Sequence, residues 1–180
     1  MSLRIYGNRL LKTLPGLETR PTPARVREAL FNIWQDSIAG CRWLDLCAGT
    51  GAMSAEALCR GATEVTAIEQ SNRAISIIRE NLQKVCGENQ TFVVLRGSVD
   101  QRIKSLEGKE FDCIYFDPPY ASDLYAPVLE AVAEYRLLSP TGEMAVEHRK
   151  EKVPAVTALE ICRQKVYGNT ALTFYRPIVP

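Results

Sequence analysis

The chain has 180 residues, 46% of them hydrophobic and 24% charged, with a formal net charge of +1. That length favours one domain with a sizeable core over two, and the composition is that of an ordinary globular protein rather than a disordered, fibrous or strongly polycationic one. A secretory pattern at Met1 and an apolar run long enough to span a bilayer are both missing, so a cytoplasmic protein without a membrane partner is expected.

Charge is unevenly spread. Residues 1–42 hold seven basic side chains (Arg4, Arg9, Lys12, Arg20, Arg25, Arg27, Arg42) against three acids (Glu18, Glu28, Asp36). A basic start on a mildly acidic body suits either a phosphate-facing surface or a merely solvated one. The cysteines at 41, 47, 59, 86, 113 and 162 form no C-x-x-C pair and have no metal-like spacing, so buried reduced thiols and no metal site are expected.

In chain order, residues 3–18 carry Gly7-Asn8 and Pro15-Gly16 and read as extended or hairpin-like. Residues 1–21 are thus expected to be an N-terminal extension, with RNA contact as one use for it, and 22–180 the main domain. Thr22-Pro23 has the form of a helix start, threonine as N-cap and proline at the first helical position. Val26, Leu30, Ile33 and Trp34 follow at helical spacing. The pattern then alternates. Strands are expected at 42–47 (RWLDLC), 64–69 (EVTAIE), 91–96 (TFVVLR), 111–116 (FDCIYF) and 142–148 (GEMAVEH). Helices are expected at 50–60, closed by Gly61, at 71–85, in a short stretch opened by a Ser98/Gln101 capping box, and at 124–138. The tail runs LEICRQKVY and ALTFY, separated by Gly168-Asn169-Thr170, predict an antiparallel hairpin.

Near-continuous apolar strands alternating with helices predict a doubly wound, mostly parallel α/β sheet of seven strands, with helices on both faces. Ligands of such sheets sit beyond the carboxyl ends of the strands. Asp45 precedes a turn, Cys47-Ala48-Gly49-Thr50-Gly51, whose glycines let backbone approach a ligand at a helix start. A dinucleotide fingerprint would need a third glycine where Ser54 stands. A carboxylate at 45 would repel a pyrophosphate but suit a cation, such as the ammonium and sulfonium of S-adenosylmethionine. Glu69, followed by Gln70, ends the second apolar strand and has the placement to accept ribose hydroxyls. Gly97-Ser98-Val99 follows the third and could hold an adenine, although Ser98 could equally be a plain N-cap.

The fourth strand delivers Asp117-Pro118-Pro119-Tyr120. An exocyclic amine on a planar base is a poor nucleophile, because its lone pair is delocalised. Two acceptors pulling on its N–H bonds would rehybridise it toward a methyl donor: the Asp117 carboxylate and the Pro118 carbonyl. The prolines restrict the backbone and preorganise both. The Tyr120 ring face offers a stacking surface worth roughly 1–3 kcal/mol. An isolated D-P-P could be a rigid loop; in the company of the glycine turn and Glu69 it reads as a reaction centre.

AGTG, Glu69 and DPPY together resemble class I S-adenosylmethionine-dependent methyltransferases that modify amino groups. The opening R-I-x-G, then R-P-T (Arg20 to Thr22) and R-V-R-E-A-L-F-N (Arg25 to Asn32), resembles the RsmD family, which methylates the N2 amine of a guanine in small-subunit (16S) rRNA; VEH near Glu147 and the closing hairpin also fit. The resemblance covers essentially the whole chain. It implies a Rossmann-like fold and S-adenosylmethionine as cofactor, contacted by Asp45, Cys47 to Gly51, Glu69, Gln70 and Gly97 to Val99. It implies target contacts from Asp117, Pro118, Pro119 and Tyr120, with Arg20, Thr22 and Arg25 near the substrate mouth, and rRNA or the small ribosomal subunit as partner of a monomer.

Three other readings remain. Adenine N6, cytosine N4 or a glutamine amide would call on the same chemistry. A non-catalytic RNA-binding assembly factor could keep the fold. A nicotinamide oxidoreductase is disfavoured by Asp45 and the missing glycine. His148, Trp34 and Trp43 are expected to be structural, and Arg25 and Arg27 could simply decorate their helix.

Overall fold

The computed structural model describes residues 2–15 and 22–178. The chain opens with a hairpin of β1 (Ser2–Ile5) and β2 (Arg9–Lys12), paired Ile5 to Arg9 and Ser2 to Lys12. Gly7 and Asn8 turn it with φ of 70° and 62°, the left-handed region that glycine and asparagine tolerate best. The expected hairpin is thus present; Gly16 and Arg20 lie outside the described residues.

Two helices follow, α1 (Ala24–Ile33) and α2 (Gln35–Ile38). Alternating elements then build the sheet: β3 (Arg42–Asp45), α3 (Ala52–Cys59), β4 (Glu64–Glu69), α4 (Asn72–Val85), β5 (Thr91–Arg96), α5 (Val99–Arg102), β6 (Phe111–Phe116), α6 (Tyr125–Glu134) and β7 (Leu138–Arg149). The tail is β8 (Leu159–Tyr167) and β9 (Thr170–Pro177). The strands form one seven-stranded sheet in the order β5-β4-β3-β6-β7-β9-β8. β3 to β7 are parallel, β9 inserts antiparallel beside β7, and β8 completes the edge. The doubly wound sheet with its closing hairpin is as expected. Its order reverses at β3, between β4 and β6, which opens a crevice at the carboxyl ends of those strands.

Alternate residues of the central strands feed two cores. Trp43, Val65, Ala67, Cys113 and Tyr115 face α1, α3, α4 and the hairpin. Leu44, Ile68, Ile114, Phe116 and Val146 face α5 and α6. Burial on both faces is why these strands are apolar throughout rather than alternating. Phe31 stacks on Trp43 at 5.5 Å between ring centres, and Trp34 meets Trp43 edge-on at 5.8 Å.

Some expectations need correction. The last long helix spans Tyr125–Glu134, not 124–138, because Arg136 takes a left-handed φ of 52° and the chain enters β7 at Leu138. β7 spans Leu138–Arg149 rather than 142–148; His148 within it is structural, its ring nitrogens 2.7 Å from the Thr173 hydroxyl and the Arg149 carbonyl. Ser98 makes no capping hydrogen bond. Only Cys41 and Cys113 of the six thiols are fully buried. Arg27 does not decorate its helix. It is 3% exposed and bonds Glu56 at 2.6 Å and the Arg4 carbonyl at 2.9 Å, tying the N-terminal hairpin to α3.

Glu56 also accepts from Arg60 at 2.8 Å. Removing Glu56 would strand the buried Arg27 guanidinium, whereas removing Arg27 leaves Glu56 its second partner. Glu56→Ala should therefore lower unfolding stability by about 3–5 kcal/mol, and more than Arg27→Ala does. Urea denaturation of both variants measures this; a Glu56→Ala loss smaller than that of Arg27→Ala would contradict it.

Candidate active site

Three strand ends meet at the crevice. β3 ends at Asp45, and the turn after it is held by Ala48 N–H donating to the Ile68 carbonyl (3.0 Å) and Gly51 N–H donating to the Ala48 carbonyl (2.7 Å). Gly49 and Gly51 have φ of 57° and 76°, a region costly for a residue with a Cβ. A Cβ on Gly51 would lie 3.2 Å from Ile78, whereas one on Gly49 would meet nothing within 4 Å. Gly51 thus makes room for packing against α4, and Gly49 borders open space.

Glu69, at the end of β4, fastens this turn. One carboxylate oxygen accepts the Gly49 N–H and the other the Ser71 N–H, each at 2.8 Å. Each oxygen keeps a further lone pair for a ligand hydroxyl. Behind the turn stands Asn81 of α4, 1% exposed. Its amide donates to the Thr50 and Lys12 carbonyls (2.9 and 3.0 Å) and accepts the Lys12 N–H at 2.9 Å. The glycine turn is thereby joined to the N-terminal hairpin. Gly97 N–H donates to the Glu69 carbonyl at 3.0 Å, which brings the end of β5 alongside; Val99 is buried there, and Ser98 and Gln70 are partly or fully exposed.

Asp45 is 1% exposed. One oxygen accepts the Ser54 hydroxyl at 2.8 Å and the other has no partner among the described residues. Burial pushes its pKa up to about 7, with the Glu69 charge adding and the Ser54 bond opposing. Beyond β6, Asp117 is held well above the ordinary carboxylate range by burial and then by the charges of Glu147 and Asp45. Cys47 lies among these acids; burial, then Asp45, Asp117 and Glu69, push its thiol upward. Asp45, Glu69 and Asp117 thus lie near enough to bear on one another's charge, at the carboxyl ends of adjacent parallel strands. Pro118 is buried and Pro119 exposed; the Pro119 carbonyl accepts the Ser122 N–H at 2.8 Å, and among the described residues no donor reaches the Pro118 carbonyl.

Thr22 does not cap α1. The proline after it occupies the cap position, and the Thr22 hydroxyl instead lies 3.0 Å from the Tyr115 hydroxyl and 3.4 Å from Asp117. It therefore joins the site by a route that cap spacing does not reveal. Arg25 is exposed and stands 6.0 Å from the Tyr167 ring centre, apart from this network. Arg20 lies outside the described residues.

The residue to which the sequence assigned no role, beyond the VEH that fits the resemblance, is Glu147 of β7, 3% exposed. It accepts from Tyr115 at 2.7 Å and Tyr120 at 3.2 Å, and Tyr120 also meets the Thr170 hydroxyl at 2.8 Å. The Tyr120 hydroxyl therefore orients a ring whose face alone had drawn notice. Inside an apolar strand, a glutamate two positions from the strand's end was the available signal.

Burial raises the Glu147 pKa above its ordinary 4.5. The folded state therefore holds the proton more tightly than the unfolded chain, and stability falls as pH rises above 4.5. Glu147→Gln removes that titration and keeps hydrogen-bonding atoms. Its stability relative to the parent should grow as pH rises above 4.5 and then level off in urea denaturation series; a gap that stays flat or shrinks throughout would contradict the assignment.

Comparison with known proteins places this geometry. The family described as Conserved hypothetical protein 95 matches residues 3–176. The Ribosomal RNA small subunit methyltransferase D of Haemophilus influenzae is 30% identical over 175 residues, covering 96% of this chain and 90% of that one. YlbH of Bacillus subtilis is 32% identical over 172 residues, 93% of each chain. The solved structure of Escherichia coli yhhF superposes with a TM-score of 0.85 at 29% identity, over 98% of both chains. This chain belongs to the Conserved hypothetical protein 95 family, the family of the ribosomal RNA small subunit methyltransferase D proteins.

Proposed function

We propose that this protein is an S-adenosylmethionine-dependent rRNA methyltransferase whose target is the exocyclic N2 amine of a guanine in small-subunit (16S) rRNA. The family and the names of its relatives support rRNA methylation. The observation that carries the chemistry is that Asp117 and Asp45, one oxygen of which has no side-chain partner among the described residues, end adjacent parallel strands beside the glycine turn. We read the protein as a cytoplasmic monomer acting on rRNA or the small ribosomal subunit, with residues 1–21 as an RNA-contacting extension; among the described residues no helix is long and apolar enough to cross a membrane.

The residues fit the cofactor. Asp45 supplies a buried acceptor for an ammonium, Glu69 spare lone pairs for ribose hydroxyls, Gly49 a side that admits close approach, and Val99 an apolar wall for a base. Once bound, S-adenosylmethionine supplies an electrophilic methyl group on a sulfonium. A cation in this crevice would favour the ionised forms of Asp45 and Asp117. Ionised Asp117 and the Pro118 carbonyl would then accept the two N–H bonds of the target amine and turn its lone pair outward. Tyr120 would stack on the base, its ring held by Glu147 and Thr170. No separate base is needed to start the reaction, since the nitrogen proton becomes acidic once the methyl arrives.

Cells lacking the gene should lose one methyl mark from 16S rRNA, seen by mass spectrometry. The parent gene should restore it, and Asp117→Ala should not, while leaving the fold intact. In vitro, Tyr120→Phe should lower kcat roughly tenfold, equivalent to about 1.4 kcal/mol of lost alignment, and Tyr120→Ala further still. An unchanged rRNA methylation pattern in the deletion strain would overturn the substrate, and full activity of Asp117→Ala the mechanism.

Because Asp45 titrates near 7 in the free protein, binding a cationic ligand requires it to lose a proton below that pH. Affinity for S-adenosylmethionine should rise with pH up to about 7 and then level off. Asp45→Asn should bind weakly with a flatter profile. Calorimetric titrations across this range decide it; a parent profile that is flat or falls with pH would contradict the role given to Asp45.

A further inference from the structure

Next to Tyr120, on the side away from the glycine turn, is a small pocket of about 130 Å³ lined by Tyr120, Ser122, Asp123, Tyr125, Arg149 and Lys152 among others. Its construction is specific. β7 is parallel to β6, so its last residue, Arg149, emerges at the same end of the sheet as Asp117. The chain then turns, with Lys152 N–H donating to the Arg149 carbonyl at 3.0 Å, and this brings the two cations to one opening. The Arg149 guanidinium carbon stands 5.7 Å from the centre of the Tyr120 ring. The Ser122 hydroxyl is buried at the pocket wall and has no hydrogen-bond partner among the described residues. Asp123 is the one acid of the lining; it is exposed, where its charge is screened by solvent and salt. His148, also in the lining, is buried between the Thr173 hydroxyl and the Arg149 carbonyl, and burial lowers its pKa, so it adds no cation.

Size and chemistry select the occupant. A pocket of about 130 Å³ has room for a phosphate group. Two cations and an unpaired hydroxyl form a donor set for an anion with several acceptor oxygens. The distance from the base-stacking ring is one side chain, the separation expected between a target base turned out of its strand and the backbone beside it. Resting on the nucleic-acid substrate proposed above, we infer that this pocket binds the phosphate adjoining the target nucleotide, through Arg149, Lys152 and Ser122, and so fixes how far along the strand the enzyme registers before the amine meets Asp117.

The test uses small ribosomal subunits from cells lacking the gene, methylated by the full chain under steady-state conditions at several salt concentrations. Arg149→Gln/Lys152→Gln should raise KM for the particles about tenfold at low salt and flatten the dependence of log KM on log salt by roughly 0.7–1. Lys152→Gln alone should show part of this increase with kcat within about twofold of the parent, since Lys152 touches no reacting group. Arg149→Lys should keep the parent salt dependence. Ser122→Ala should raise KM about two- to fivefold. Binding of S-adenosylhomocysteine should be the same in every variant, which reports an intact cofactor site. If the parent methylates the particles and the double variant shows parent KM and salt dependence, the pocket assignment is overturned while the proposed function stands. If the parent methylates no rRNA in these particles, the proposed function falls and the pocket assignment with it.

Discussion

Three carboxyl groups at the ends of neighbouring strands are buried (Asp45, Glu147) or partly buried (Asp117) with no counter-cation among the described residues. Asp45, Asp117 and Glu147 follow from β3, β6 and β7, and no ion pair among the described residues reaches any of them. Isolated buried charge is so unfavourable that such groups respond by holding their protons. All three show that response, with burial as the leading cause. A fold with a purely structural purpose would have placed apolar residues or a cation here. On the proposed reading the acid corner is a standing demand for a positively charged ligand, which the neighbouring turn and strand ends are arranged to meet.

The scaffold serves that demand by making the surroundings rigid. Glu69 fastens the glycine turn through two backbone amides, and Asn81 locks the same turn to the N-terminal hairpin. Thr22, Tyr115, Glu147, Tyr120 and Thr170 form one hydrogen-bonded chain running from the start of α1 to the final hairpin. This chain crosses segments far apart in sequence, so the position of the Tyr120 ring depends on the whole sheet being closed. In the proposed reaction, preorganisation of this kind would remove the reorganisation otherwise required as charge develops at the target nitrogen.

The architecture was legible because both faces of the central strands are buried, so that EVTAIE and FDCIYF stand out as strands by composition; TFVVLR, on the half-exposed edge, stands out by its β-branched and aromatic residues, and all three have the expected bounds. The glycine turn and the D-P-P-Y corner were legible for a different reason: each combines residue types that few local structures require. What stayed hidden depends on contacts between distant segments. Thr22 has ideal cap chemistry, and only the approach of Tyr115 redirects its hydroxyl. Arg27 looks like a solvated helix residue until Glu56 arrives from α3. Asn81 sits within an apolar helix face with no local signal that it would bridge two backbone segments. Glu147 could be seen as an acid in a strand, but its partners are fixed by the parallel register of β6 and β7 and the antiparallel register of β7 and β9.

The account depends most on the charge state of the acid corner. Carbon-13 NMR titration of the Asp45, Asp117 and Glu147 carboxyls, with and without S-adenosylmethionine, reads it directly. All three should titrate above the ordinary carboxylate range in the free protein, with Asp45 near 7, and the cofactor should bring Asp45 and Asp117 downward. Ordinary acidic values in the free protein, or carboxyls that do not respond to the bound cofactor, would contradict it.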